Sequence, residues 1–174
     1  VGIFYMPELA EVEYTRKRWD IGWGKKIESI SIQSNARILR GCDTKKLKKE
    51  LIGASLTRSE SHGKQMIFKF GGKGWLGIHL GMTGDLLVKP AKYRKTKHDH
   101  LMLRQKDQTL VLNDPRLFGR VRFDAGSSMP GWWKALPPRI DSNEFTLALV
   151  RNFLKRRKGS SLKAILLMQE AFPG

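Results

Sequence analysis

From residue 26 to residue 124 the dominant hydrophobic period is two, and this limits the fold more than any other feature of the chain. Ile27, Ser29 and Ser31 fall on one side of a run whose other side is Glu28, Ile30 and Ile32. Runs rich in strand-forming residues recur at 65–70, 75–80, 85–88, 98–104, 109–112 and 120–123. Gly71-Gly72, Gly81, Gly84 and Asp107-Gln108 stand between them, the residue types that tight turns use. Many short strands without intervening helices predict an antiparallel sandwich or barrel. One short helix, at 45–51, is expected inside this region.

The flanks read differently. Residues 7–19 predict a helix with Pro7 in its first turn and the acids Glu8 and Glu11 at its positive end. Gly22 and Gly24 end it. Residues 126–138 hold two Gly and three Pro and read as a linker. Asp141 precedes Glu144 by three, the spacing of an N-cap with its capping-box acid. A helix is expected from there to about residue 157, burying Phe145, Leu149, Phe153 and either Ala148 or Leu154. Gly159 breaks it, and Ser161 starts a second helix to Ala171 with Leu162, Ile165, Leu166 and Gln169 on one side. Two helices cannot close a core around two apolar stripes, so this last unit is expected to be unfinished. The expected fold is α+β: an antiparallel β-sandwich preceded by an N-terminal helix and followed by a partial helical unit. Its divisions are a leader at 1–6, a sandwich domain at 7–125, a linker at 126–140 and the helical unit at 141–174.

Charge selects the partner. The 174 residues carry 33 Lys and Arg against 16 Asp and Glu, a net +17. Such an excess repels itself unless a polyanion neutralises it, so nucleic acid is expected, with an anionic membrane surface as the weaker reading. No apolar run approaches the ~20 residues that span a bilayer, and the opening lacks the pattern of a signal peptide. Cys42 is the sole cysteine, which rules out an internal disulfide and a multi-cysteine zinc site within these residues. A reducing, intracellular setting is expected, in the cytoplasm or nucleoid.

Several short motifs carry chemistry, and each has a plain alternative. Pro7-Glu8-Leu9-Ala10-Glu11-Val12-Glu13 is an ordinary helix start. Lys64, after His62-Gly63, is a solvated edge lysine or an amine held beside a cleft for phosphate or nucleophilic work. Met82, in His79-Leu80-Gly81-Met82-Thr83-Gly84, is core filler or an exposed wedge at a turn tip; the flanking glycines favour exposure. His98-Asp99-His100 places two imidazoles on one strand face, yet no third metal ligand is evident. Asn113-Asp114-Pro115-Arg116-Leu117-Phe118-Gly119-Arg120 is a hairpin connection, or a turn presenting a cation and an aromatic plate to a base. Basic clusters run through Lys89, Lys92, Arg94, Lys95 and Lys97, and again through Arg151, Lys155, Arg156, Arg157, Lys158 and Lys163.

Taken in order, these motifs resemble the formamidopyrimidine-DNA glycosylase / endonuclease VIII family. Residues 7–13 look like that family's start, and HGK, HLGMTG, KHDH and NDPRLFGR follow in its order. The tail from residue 141 looks like the first half of its helix–two-turns–helix module. The resemblance covers nearly all of residues 6–174. It implies a base-excision repair DNA glycosylase/AP lyase that removes oxidised bases through a Schiff base on an N-terminal proline. Pro7 then corresponds to the nucleophile, Glu8 to the acid/base carboxylate, and Lys64 to a lysine that supports elimination and contacts phosphate. Glu11 corresponds to a supporting acid. Met82, Arg116 and Phe118 match the residues that fill the gap left by a flipped nucleotide. His79 matches a phosphate contact, and Lys155, Arg156 and Arg157 are expected on DNA. The implied partner is double-stranded DNA with oxidised or abasic sites, bound by a monomer. No cofactor is expected from these residues; zinc belongs to a C-terminal finger found in some relatives, which this chain stops short of.

Three departures stand out. Ala10 replaces the family's second proline, residues 1–6 precede Pro7 and turn its nitrogen into an amide, and the chain ends before the module's closing turn. Two other functions therefore stay open: a damaged-DNA-binding relative without catalysis, and a basic RNA-binding or ribosomal protein.

Overall fold

The computed structural model describes residues 7–33, 35–168 and 171–172; the leader at 1–6 and Gln169 lie outside them. Eight described strands form two antiparallel sheets. One has the order β1 (Ser29–Ile32), β6 (Asp99–Arg104), β7 (Gln108–Asn113), β5 (Asp85–Pro90). The other runs β2 (Leu56–His62), β3 (Gln65–Phe70), β4 (Gly74–His79), β8 (Arg120–Ala125). Alternate residues of each inner strand point between the sheets: Met66, Phe68 and Phe70, then Leu76 and Ile78, against Leu101, Leu103, Leu110 and Leu112, all in one buried cluster. Trp19 closes that core, fully buried, with its ring 5.0 Å from Phe68 and its indole N–H on the Leu87 carbonyl at 3.2 Å. Leu47 and Leu51 of α2 (Thr44–Leu51) close it from another side.

The flanks need correcting. Helix α1 is Leu9–Arg18, not 7–19: Glu8 is its N-cap, in extended conformation, so Pro7 stands one residue outside. Trp19–Gly22 continues as a 3-10 turn. The expected linker is built: α3 (Gly131–Lys134) lays Trp133 against Ile67 and Trp75, with Trp132, Met129 and Leu136 around them. These cover the outer face of the second sheet, so β4 is buried on both faces. Helix α4 is Leu147–Lys155, capped by Thr146 rather than Asp141, whose carboxylate binds Arg139 at 2.9 and 3.0 Å instead. Only Phe153 of its expected apolar face is buried; Phe145 and Leu149 are half-buried, and Ala148 and Leu154 exposed. Helix α5 (Leu162–Leu166) buries Ile165 while Leu162 and Leu166 stay exposed. Phe153, Ile165 and Ala171 still join in one small cluster.

The strand register decides where the motifs meet. Gln65, opening β3, pairs with His79, closing β4, which pairs with Arg120, opening β8. In the other sheet Asp85, opening β5, pairs with Asn113, closing β7, which pairs with Asp99, opening β6. The connections 80–84 and 114–119 both cross from one sheet to the other at this end, beside the 63–64 hairpin tip. One end of the sandwich thus collects segments far apart in sequence.

Candidate active site

The hairpin tip builds the first contact. Gly63 has φ +54, and Lys64 does not share a positive φ, the pattern of a two-residue type II′ connection. This turn brings the Lys64 ammonium to 2.8 Å from Glu8 Oε1. The Lys64 side chain is 13% exposed and that of Glu8 50%, so the amine is tucked in and the carboxylate faces out. Glu11 holds the backbone beneath: its Oε2 accepts the Glu8 N–H at 2.9 Å, which is half of a capping box. Pro7, half-buried, is next in the chain to this pair. An amine and a carboxylate in contact at the edge of a cleft can exchange a proton with a bound molecule.

His79 lies alongside. It lines a pocket of about 120 Å3 with Lys64, Gly63, Leu136 and Pro137. Its Nδ1 accepts the Gly81 N–H at 3.0 Å, which leaves the proton of the neutral ring on Nε2. Burial holds the imidazole below its usual range, and the charges of Lys64 and Arg122 push the same way. His79 is therefore a neutral donor amid cations. The segment after α3 forms the wall opposite: His62 Nε2–H donates to the Pro137 carbonyl at 2.6 Å.

Asp114 ties the two crossing turns together. Fully buried, it accepts Thr83 Oγ1–H at 2.9 Å, Arg116 N–H at 3.2 Å and Gly119 N–H at 2.8 Å. Its own backbone is held by both histidines of the 98–100 motif: its N–H donates to the His98 carbonyl, and its carbonyl accepts His100 Nε2–H at 2.8 Å. The two histidines thus work on this turn, and Asp99 is bound by Tyr93, Thr96 and Asn113. Among the described residues no group of three His, Cys, Asp or Glu is arranged to hold a metal ion. Leu117 has φ +60, the one non-glycine residue described in the left-handed region, and its side chain packs on the core. That anchor turns its neighbours outward: Phe118 is 43% exposed, with the Arg116 guanidinium 4.8 Å from its ring centre. Met82 is half-buried rather than exposed, because its turn leans on this one; a Cβ at Gly81 would sit 2.4 Å from the Phe118 carbonyl carbon.

Pro7, Glu8, Glu11, Lys64, His79, Met82, Arg116 and Phe118 therefore share one end of the sandwich. Lys155, Arg156 and Arg157 are on the helical unit, where Arg156 lines a cleft of about 220 Å3 with Pro137, Pro138 and Phe153. Sequence reasoning passed over Asp114, although it lies inside the 113–120 motif, and the wall at 136–137. It also passed over a network beneath α1: Arg16 is buried and binds Glu13 and Asp20, Ser59 bridges Arg16 and Asp20, and Ser61 binds Glu13. The Arg16 bond holds the Glu13 carboxyl down to about 2. Glu13, Arg16 and Asp20, of alternating charge at i, i+3 and i+7, were the one signal for it.

The sequence model of the formamidopyrimidine-DNA glycosylase N-terminal domain matches residues 6–121. The chain is 30% identical over 170 residues to the formamidopyrimidine-DNA glycosylase of Carboxydothermus hydrogenoformans, covering 97% of this chain and 61% of that protein. For the Exiguobacterium protein of the same name the values are 34%, 97% and 62%. The Lactococcus lactis enzyme, solved non-covalently bound to AP-site-containing DNA, superposes with a TM-score of 0.82 at 30% identity over 97% of this chain and 65% of that one. A MutM structure with carbocyclic 8-oxo-G-containing DNA gives 0.82, 31%, 97% and 64%. The chain spans about three fifths of the curated relatives' length. On the domain match and these identities, it belongs to the formamidopyrimidine-DNA glycosylase family.

Proposed function

We propose that this chain is the catalytic N-terminal part of a base-excision DNA glycosylase with AP lyase activity toward oxidised bases in duplex DNA. The Glu8–Lys64 contact beside Pro7 carries the reading, set where the two crossing turns present Met82, Arg116 and Phe118. In it, the secondary amine of an N-terminal Pro7 attacks C1′ and the C1′–base bond breaks, the base leaving with its electron pair and taking up the amine's proton. The C1′–O4′ bond then opens, O4′ receives a proton from Glu8, and a proline iminium remains at C1′. The iminium acidifies C2′; that proton passes to Lys64 once Lys64 has given its own to Glu8, the C3′–O3′ bond breaks, and the 3′ phosphate leaves with the electron pair, cutting the strand. Lys64 returns a proton to Glu8 across their contact and faces the phosphate with His79. Phe118, Arg116 and Met82 fill the stack. None of these steps calls on a cofactor.

The attack needs a free secondary amine, and in this sequence Pro7 follows Met6 as an amide. That fact favours a second reading, a damaged-DNA binder without catalysis, for any protein that keeps Met6. Borohydride trapping on abasic DNA separates the two. Protein beginning at Pro7 is expected to form the covalent adduct, and protein beginning at Val1 is not. Equal trapping by both removes Pro7 as nucleophile and points to Lys64.

A further inference from the structure

Three arginines converge on a cleft that this mechanism leaves unused. It has a volume of about 440 Å3 and is lined by Arg37, Arg40 and Arg120 around the 117–119 turn. Arg37 opens and Arg40 follows a 3-10 turn, Arg37–Leu39, whose Ile38 and Leu39 are buried in the core. With its middle anchored, that turn holds both flanking arginines out in solvent. Arg120 opens β8 and is exposed as well. None of the three forms an ion pair among the described residues. The acids close in sequence are already engaged: Asp43 accepts the Lys46 N–H as the α2 N-cap, and Asp114 is buried under Gly119. Three like charges held together on rigid elements repel each other unless an anion joins them. A guanidinium fork matches the oxygens of a phosphate.

The cleft's position says which phosphate. The turn bearing Phe118 stands between β4 and the 3-10 turn; a Cβ at Gly119 would lie 3.0 Å from the His79 carbonyl oxygen and 3.1 Å from Ile38 Cδ1. Lys64 and His79 serve the reacting nucleotide on one flank, so a duplex with Phe118 in its stack lays its second backbone on the other. We propose that Arg37, Arg40 and Arg120 seat a backbone phosphate of the strand opposite the reacting nucleotide. This rests on the DNA reading above.

Binding of the full protein to an abasic-analogue duplex, and to the abasic-analogue strand alone, is measured across a salt series. Arg37→Gln/Arg40→Gln is expected to flatten the slope of log affinity against log salt by about 0.9 on the duplex, one phosphate's worth, and to leave the single-strand slope unchanged. Arg37→Lys/Arg40→Lys is expected to restore the duplex slope. An unchanged duplex slope in a variant with wild-type melting overturns the site. An equal change on the single strand overturns the strand assignment. Melting with added inorganic phosphate tests the other source: phosphate stabilisation lost in the variant, with the duplex slope intact, makes this a free-anion site and overturns the proposal. Failure of the wild-type protein to bind any duplex is a different result, because it sinks the DNA reading itself.

Discussion

Glu8 holds two positions at once, as the N-cap of α1 and as the partner of Lys64. Glu8→Gln separates them. It keeps the side chain's length and an amide oxygen, and at 50% exposure it disturbs no packing. The expected result is loss of base excision by about 100-fold or more, the lower end of what a positioned proton donor contributes. Affinity for an abasic-analogue duplex and the melting temperature should stay near wild type. Excision at a near wild-type rate would leave Glu8 as a helix cap and nothing else. Glu8 and Lys64 could be singled out because each sits inside a short motif, whereas their contact across 56 residues is visible only in the fold. Asp114 could not be. Its partners are backbone N–H groups and a threonine supplied by another turn, and the sequence shows only an acid before a proline.

The two crossing turns act as one element, and Gly81 is where they touch. Its φ of +67 suits glycine, and any Cβ there would collide with the Phe118 backbone. Gly81→Ala therefore combines left-handed strain of about 1–2 kcal/mol with overpacking of about 1–3 kcal/mol. The turn bearing Phe118 is expected to be displaced, because the atoms nearest that Cβ are the backbone of Phe118 and Gly119. Gly81→Ala should then reproduce Phe118→Ala: weaker binding to an abasic-analogue duplex by about 1–3 kcal/mol, the worth of base–aromatic stacking. The intact duplex should be bound as before. Equal losses on both duplexes would show a general unfolding of this end. At this scale the strands on the core were readable from alternation, and β2 was missed because only Leu56 and Ser59 of Leu56–His62 are buried. Its partner β3 makes it a strand, and pairing of that kind is invisible along one segment. The α4 start was misplaced for a related reason: Arg139, two residues before Asp141, captured the expected cap.

At the scale of the molecule, the excess charge pointed to a polyanion, and only the fold shows where the cations gather. The segment after β8 has the same lesson. Its Pro and Gly content reads as a linker, yet Trp133 is 9% exposed and locked against Ile67 and Trp75. From that anchor residues 136–141 run over the end that holds the candidate site: Pro137 binds His62, Leu136 walls the His79 pocket, and Arg139 lies beside Leu9 and Gly63. The Trp133 cluster is separate from the core between the sheets. Removing the anchor should therefore free the segment without melting the sandwich. Trp133→Ala loses about 3–5 kcal/mol of local packing, and limited proteolysis should cut within residues 126–140 far faster than in the wild-type protein. Backbone amides of β3, β4, β6 and β7 should keep their hydrogen-exchange protection. Adduct trapping by the Pro7 form should slow, since the wall of the His79 pocket and the His62 bond depend on the same segment. Loss of strand protection together with the cuts would mean that the tryptophans belong to the central core. Unchanged cutting would instead assign the hold to the Trp132–Asp124 bond at 2.9 Å and to His62.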